Sequence, residues 1–101
     1  MELTAKNFDS IINNSSPCLV DFWADWCGPC QLQSNILEAF EQRHPGKFKI
    51  AKLNVDDEPS IARRYSIQTI PTLIVFNEGN VAAKAVGVQT VRQLEILLGQ
   101  A

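Results

Sequence analysis

Apolar positions along the chain switch between a repeat of about 3.6 residues and a repeat of 2, and each switch marks an element. Leu3, Phe8, Ile11 and Ile12 fall at helical spacing with Thr4 as a cap, which predicts a first helix over about residues 5–14. So little chain precedes it that any initial strand holds two or three residues. Asn13-Asn14-Ser15-Ser16-Pro17 breaks the pattern. The run Cys18-Leu19-Val20-Asp21-Phe22-Trp23-Ala24 then reads as a strand buried on both faces, interrupted by one carboxylate. Leu32, Ile36, Leu37 and Phe40 form one face of a helix over Gln31 to Arg43, ended by His44-Pro45-Gly46. Residues Phe48 to Val55 alternate as a second strand. Asp56-Asp57-Glu58-Pro59 opens a short helix through Tyr65, with Pro59 inside its first turn. Thr72 to Phe76 and Val81 to Val86 flank Asn77-Glu78-Gly79-Asn80, the pattern of a hairpin. Val91, Leu94, Ile96, Leu97 and Leu98 give a last helix capped by Thr90. The order βαβαβαββα predicts one α/β domain over residues 1–101. Its mixed sheet is parallel at the crossovers and antiparallel at the hairpin, with helices on both faces.

Composition narrows the function. With 46% hydrophobic residues in 101, the chain can bury a core of its own. Nine basic against eleven acidic residues leave a charge of −2 with no basic stripe, which argues against nucleic acid as a partner. No apolar run reaches the roughly 20 residues that span a bilayer. The start Met1-Glu2-Leu3-Thr4-Ala5-Lys6 lacks the basic-then-apolar profile of a signal peptide. These features place the protein in the cytoplasm unless a targeting segment has been removed. No spare hydrophobic face stands out, so a monomer is expected. Three cysteines are an odd count and too few for a secreted disulfide framework.

The chemistry concentrates in Trp26-Cys27-Gly28-Pro29-Cys30, at a strand-to-helix junction. Backbone N–H groups are unpaired there and the helix dipole favours negative charge, so a thiolate is stabilised, and the thiolate is the reactive form. Pro29 suits the first turn, and Gly28 is expected to leave the Cys27 sulfur uncovered. The alternative is half of a zinc site. Zinc needs four ligands, and the remaining candidates, Cys18 in a buried strand and His44 beyond a helix end, are poorly placed to complete it. A redox pair without metal is the preferred reading. Asp21 is expensive to bury and should have its pKa raised, unless its side chain reaches solvent at a strand edge. Cys18 reads as a buried structural thiol, with a regulatory role left open. His44 reads as a helix C-terminal residue without a catalytic part.

A strand, Trp-Cys-Gly-Pro-Cys and a helix in that order resemble the thioredoxin family. So do Val20-Asp21-Phe22-Trp23-Ala24, Ala51-Lys52-Leu53-Asn54, Ile70-Pro71-Thr72-Leu73 and Val86-Gly87, each at family spacing. The resemblance implies the thioredoxin fold, a central mixed sheet flanked by four helices, and a thiol–disulfide oxidoreductase that reduces protein disulfides. It implies that Cys27 attacks and Cys30 resolves the mixed disulfide. Asp21 lies beneath the pair as proton acceptor for Cys30, and Lys52, alone an ordinary strand lysine, is its partner. Pro71, by itself a bland turn proline, becomes cis and packs against the sulfurs. Ile70 pairs with the backbone of a bound substrate, while Trp26, Gly28, Pro29, Thr69, Val86 and Gly87 complete a flat contact surface. The resemblance further implies no bound cofactor beyond the redox-active disulfide, with electrons drawn from NADPH through a flavin enzyme, thioredoxin reductase, and passed to disulfide-containing proteins. The chain departs from the family at Gln31, usually basic, at Asn35, commonly proline, and at Ser66 and Thr69, often glycine. Gln31 and the short N-terminus keep in view a specialised or exported relative that oxidises or isomerises, and the apolar surface around Trp26 and Pro71 a binding subunit with a thioredoxin fold.

Overall fold

The computed structural model describes residues 1–14 and 16–99. Ser15, in the breaker cluster, and residues 100–101, at the end of the expected domain, lie outside the described residues. The elements are α1 (Phe8–Ile12), β1 (Cys18–Trp23), α2 (Gly28–Arg43), β2 (Lys49–Asn54), α3 (Pro59–Arg64), β3 (Thr72–Asn77), β4 (Asn80–Val86) and α4 (Val91–Leu97). The sheet order is β2-β1-β3-β4. β1 pairs parallel with β2, across the α2 crossover, and antiparallel with β3, while β3 and β4 form the expected hairpin. Glu78 and Gly79 make its two-residue loop with φ of 53° and 82°, the left-handed pair that matches the twist of the strands.

Alternation along the strands sorts the core into two layers. Val20, Phe22, Ile74 and Phe76 pack with Phe8, Ile12 and Ile61 of α1 and α3. Leu19, Leu73 and Val75 point the other way and pack with Leu37, Phe40 and Leu94 of α2 and α4. Asp21 alternates with Leu19, which puts it on the α2 side of β1. Cys18 is fully buried, and burial pushes its thiol up.

Four expectations change. The initial strand reduces to a single parallel bridge between Glu2 and Lys52, flanked by Leu3 N–H donating to the Lys52 carbonyl. The first helix is shorter than residues 5–14 because Asn7 Oδ1 accepts the Thr4 N–H at 2.7 Å and holds a turn over residues 5–7. α2 starts three residues early, at Gly28. Its buried stripe is Cys30, Gln33, Leu37 and Phe40, so Leu32 is 54% exposed where an inner position was expected. The apolar pattern misled because a glutamine holds a core position by bonding its amide, as described below.

The ends of α2 and α4 are tied. His44, the C-cap of α2, donates from Nε2 to Glu95 Oε2 at 2.8 Å, which holds the Glu95 carboxyl below its usual range. Thr90 and Gln93 form a capping box at the start of α4. Thr90→Ala is expected to cost about 1 kcal/mol and to lower the melting temperature by roughly 4–8 °C, read by calorimetry. Among the described residues, no helix is long and apolar enough to cross a membrane.

Candidate active site

The junction between β1 and α2 builds the reactive end of the sheet. Cys27 is the N-cap of α2, with extended backbone (φ −92°, ψ 108°), and its Sγ accepts the Cys30 N–H at 3.2 Å. An unpaired N–H of the first helical turn is therefore aimed at the sulfur that would carry negative charge. Cys27 and Cys30 are joined as a disulfide with Cα atoms 5.3 Å apart. Pro29 occupies the first turn, where no partner for its nitrogen is needed.

The Cys27 sulfur is less open than expected. A Cβ on Gly28 would meet nothing within 4 Å, so that side is free. Yet Cys27 is only 4% exposed, because it packs with Ala24 and Cys30 against Trp23, Val55 and Ile70. Its Sγ lies 3.8 Å from the Ile70 carbonyl oxygen. A disulfide sulfur has no proton to donate, so this is a packing contact in the oxidised form; the reduced thiol could donate there.

Three segments surround the pair. Trp26 is 72% exposed and fixed by its indole N–H, which donates to Asp56 Oδ2 at 2.8 Å. The Ile70–Pro71 peptide bond is cis, with Thr69 exposed just before it and Pro71 buried. Gly87, at φ 89°, donates its N–H to the Pro71 carbonyl at 2.8 Å, which draws the end of β4 onto that loop and leaves Val86 exposed beside it. Thus Cys27, Gly28, Pro29, Cys30, Ile70, Pro71, Val86 and Gly87 stand on neighbouring segments. Asp56 was not foreseen. Its only signal in the sequence was an acidic residue shortly after a strand.

Asp21 is fully buried, and neither carboxylate oxygen has a hydrogen-bond partner among the described residues. Desolvation pushes it up to about 7, with the Lys52 charge opposing and Glu2 adding to the rise. The solvent-facing alternative for Asp21 is excluded by this burial. Lys52 sits opposite Asp21 in the β1–β2 register. Its ammonium donates to Ser34 Oγ at 3.0 Å and lies 4.7 Å from the Trp23 ring centroid. Among the described residues no ion pair joins Lys52 to Asp21, so its influence acts through space.

The departures from the family pattern also have places. Gln31 is exposed in the first turn of α2, which carries no charge of either sign outside the motif. α2 runs unbroken through Asn35. Ser66 adopts φ 55°, a left-handed conformation that glycine accepts at no steric cost. Among the described residues no group of three or more His, Cys, Asp or Glu comes together to hold a metal.

Residues 1–99 match the family model described as Thioredoxin. The chain is 45% identical over 98 residues to a thioredoxin of Alicyclobacillus acidocaldarius subsp. acidocaldarius, covering 97% of this chain and 93% of that one. It is 41% identical over 100 residues to a thioredoxin of Porphyra purpurea, covering 98% and 94%. Among solved structures, one chain superposes with a TM-score of 0.87 at 25% identity over all of this chain and 94% of its own. It comes from work on how the thiol of yeast mitochondrial 1-Cys peroxiredoxin is resolved through the glutathione and thioredoxin systems. The chain therefore belongs to the thioredoxin family, and it is a thiol–disulfide oxidoreductase that reduces protein disulfides with its Cys27–Cys30 pair and needs no bound cofactor.

Proposed function

We propose that residues 1–101 act as one monomeric cytoplasmic domain, a general reductant that draws electrons from NADPH through a flavin-containing thioredoxin reductase. The observation that carries this reading is the Cys27–Cys30 pair at the α2 N-terminus, beside the cis Ile70–Pro71 bond. In the reduced protein the Cys27 thiolate attacks one sulfur of a substrate disulfide. A bond from Cys27 Sγ to that sulfur forms, and the other sulfur leaves as a thiolate. Cys30, once deprotonated, attacks Cys27 Sγ, expels the second substrate thiolate and closes the Cys27–Cys30 disulfide. Two electrons pass from protein to substrate.

Asp21 accepts the Cys30 proton in this scheme. A buried carboxyl with a pKa of about 7 is a base matched to neutral pH. Lys52 tunes that base by its charge. An extended substrate segment lies along Ile70, adding a short antiparallel strand. Trp26, Gly28, Pro29, Thr69, Pro71, Val86 and Gly87 form the apolar floor beneath it.

The second reading, an exported or specialised relative, is favoured by Gln31, since no cation stands in the first turn of α2. The reduction potential separates the two. Equilibration with dithiothreitol buffers is expected to return a value within about 30 mV of the family's −270 mV, with turnover sustained by NADPH and a thioredoxin reductase. A potential near about −180 to −120 mV, with no turnover from that reductase, replaces the first reading by the second.

A further inference from the structure

We infer that Gln33 is a positioning residue that sets the height of the Val86–Gly87 rim over the cysteine pair, and so controls access for protein disulfides. Gln33 follows Cys30 by one turn on the buried stripe of α2, and its side chain is fully excluded from solvent. An amide in that position is costly unless it is bonded. Here both ends are used on one residue of the loop between β4 and α4. Gln89 N–H donates to Gln33 Oε1 at 2.6 Å, and Gln33 Nε2 donates to the Gln89 carbonyl at 3.1 Å. The side chain thus takes the place of a neighbouring strand, pairing with both backbone groups of Gln89.

The clamp does not end at residue 89. The Gln89 side chain turns back, and its Nε2 donates to the Gly87 carbonyl at 3.1 Å and reaches the Val86 carbonyl at 3.5 Å. Gly87 N–H in turn donates to the Pro71 carbonyl at 2.8 Å, and the Ile70 carbonyl lies 3.8 Å from Cys27 Sγ. The bonds and contacts run from α2 through the β4–α4 loop and the Ile70–Pro71 loop, and return to the disulfide at the head of α2. A leucine or isoleucine at position 33 would fill the space equally well and leave the Gln89 backbone without its partners. The polar side chain therefore fixes the rim relative to the cysteines. A small disulfide needs the sulfur alone, whereas a protein disulfide must seat a segment of backbone on the rim. This inference rests on the docking surface proposed above.

The test compares two oxidants of the reduced full-length protein, insulin as a protein disulfide and oxidised glutathione as a small one. Gln33→Met keeps the shape and removes both bonds; Gln33→Leu removes both with a shorter side chain. For Gln33→Met, KM for insulin is expected to rise roughly fivefold or more, the scale of one lost hydrogen bond. The kcat, the glutathione rate and the reduction potential should stay within about twofold, and amide exchange at Gly87 and Gln89 should accelerate. Gln33→Leu should behave as Gln33→Met does, and it carries the same comparison if Gln33→Met does not fold. Equal slowing with insulin and glutathione, or an unchanged insulin KM, overturns the clamp. Val86→Glu distinguishes the two layers. If it raises the insulin KM while Gln33→Met does not, docking stands and the clamp falls; if it leaves the insulin KM unchanged, the docking surface itself falls and the clamp with it.

Discussion

Cys27→Ser is expected to lose essentially all turnover of protein disulfides, by more than about 1,000-fold, while Cys30→Ser stops after one attack. The first loss follows from the nucleophile. A serine hydroxyl supplies no thiolate and forms no bond to sulfur that the chain could later exchange. The second follows from position. Cys27 is the N-cap and receives the Cys30 N–H, whereas Cys30 lies within the first turn on the buried face. With Cys30 gone, the mixed disulfide at Cys27 has nothing to resolve it, so a one-to-one adduct should accumulate. Mass spectrometry under non-reducing conditions checks this. An adduct on Cys30 of Cys27→Ser, with none on Cys27 of Cys30→Ser, would reverse the assigned roles.

Asp21→Asn is expected to stabilise the protein by about 4 kcal/mol at pH 8 relative to its effect at pH 4. The folded-state pKa of about 7 lies above the ordinary carboxyl value of 3.8. The native state therefore binds more protons than the unfolded state between those two values, and its stability falls as pH rises through that window. Above pH 7 the carboxylate is charged in both states and the cost is fully present. Below pH 4 it is protonated in both and the cost vanishes. Asparagine keeps the shape and cannot ionise, so its advantage over aspartate should grow from pH 4 to pH 7 and then level off. Denaturant unfolding at a series of pH values reads the curve directly. A flat difference across pH would mean that Asp21 meets water in the folded state, against its burial. The same variant should also slow release of the mixed disulfide more than the first attack.

Much of this was legible in the chain because local chemistry and tertiary fate agree there. The Cys18 to Trp23 strand, the Thr90 cap, Pro59 at a helix start and the Asn77 to Asn80 turn each follow from a few residues. The cysteine motif was readable for the same reason, since its chemistry needs only a strand end and a helix start. Other features depended on distant partners. Nothing local marks Gln33, because its partner, the backbone of Gln89, lies 56 positions away. Trp26 is held by Asp56, thirty positions on. The Cys27 burial comes from Ile70 and Val55, which no local pattern connects to it. The short first segment keeps the pairing its length allows, one bridge at Glu2 with Met1 and Leu3 bonded to Lys52.

The single bridge at Glu2 has a consequence for solubility. An open sheet offers a row of unpaired backbone groups at each margin, and such rows invite other chains to add on. On the β2 margin, the Lys52 N–H is taken by the Met1 carbonyl and the Lys52 carbonyl by the Leu3 N–H. On the opposite margin, β4 carries Lys84 and meets β3 through an irregular register at Val75 and Phe76. Both devices discourage edge-to-edge growth. Growth of a fibril by strand addition is thereby opposed at both margins of the sheet.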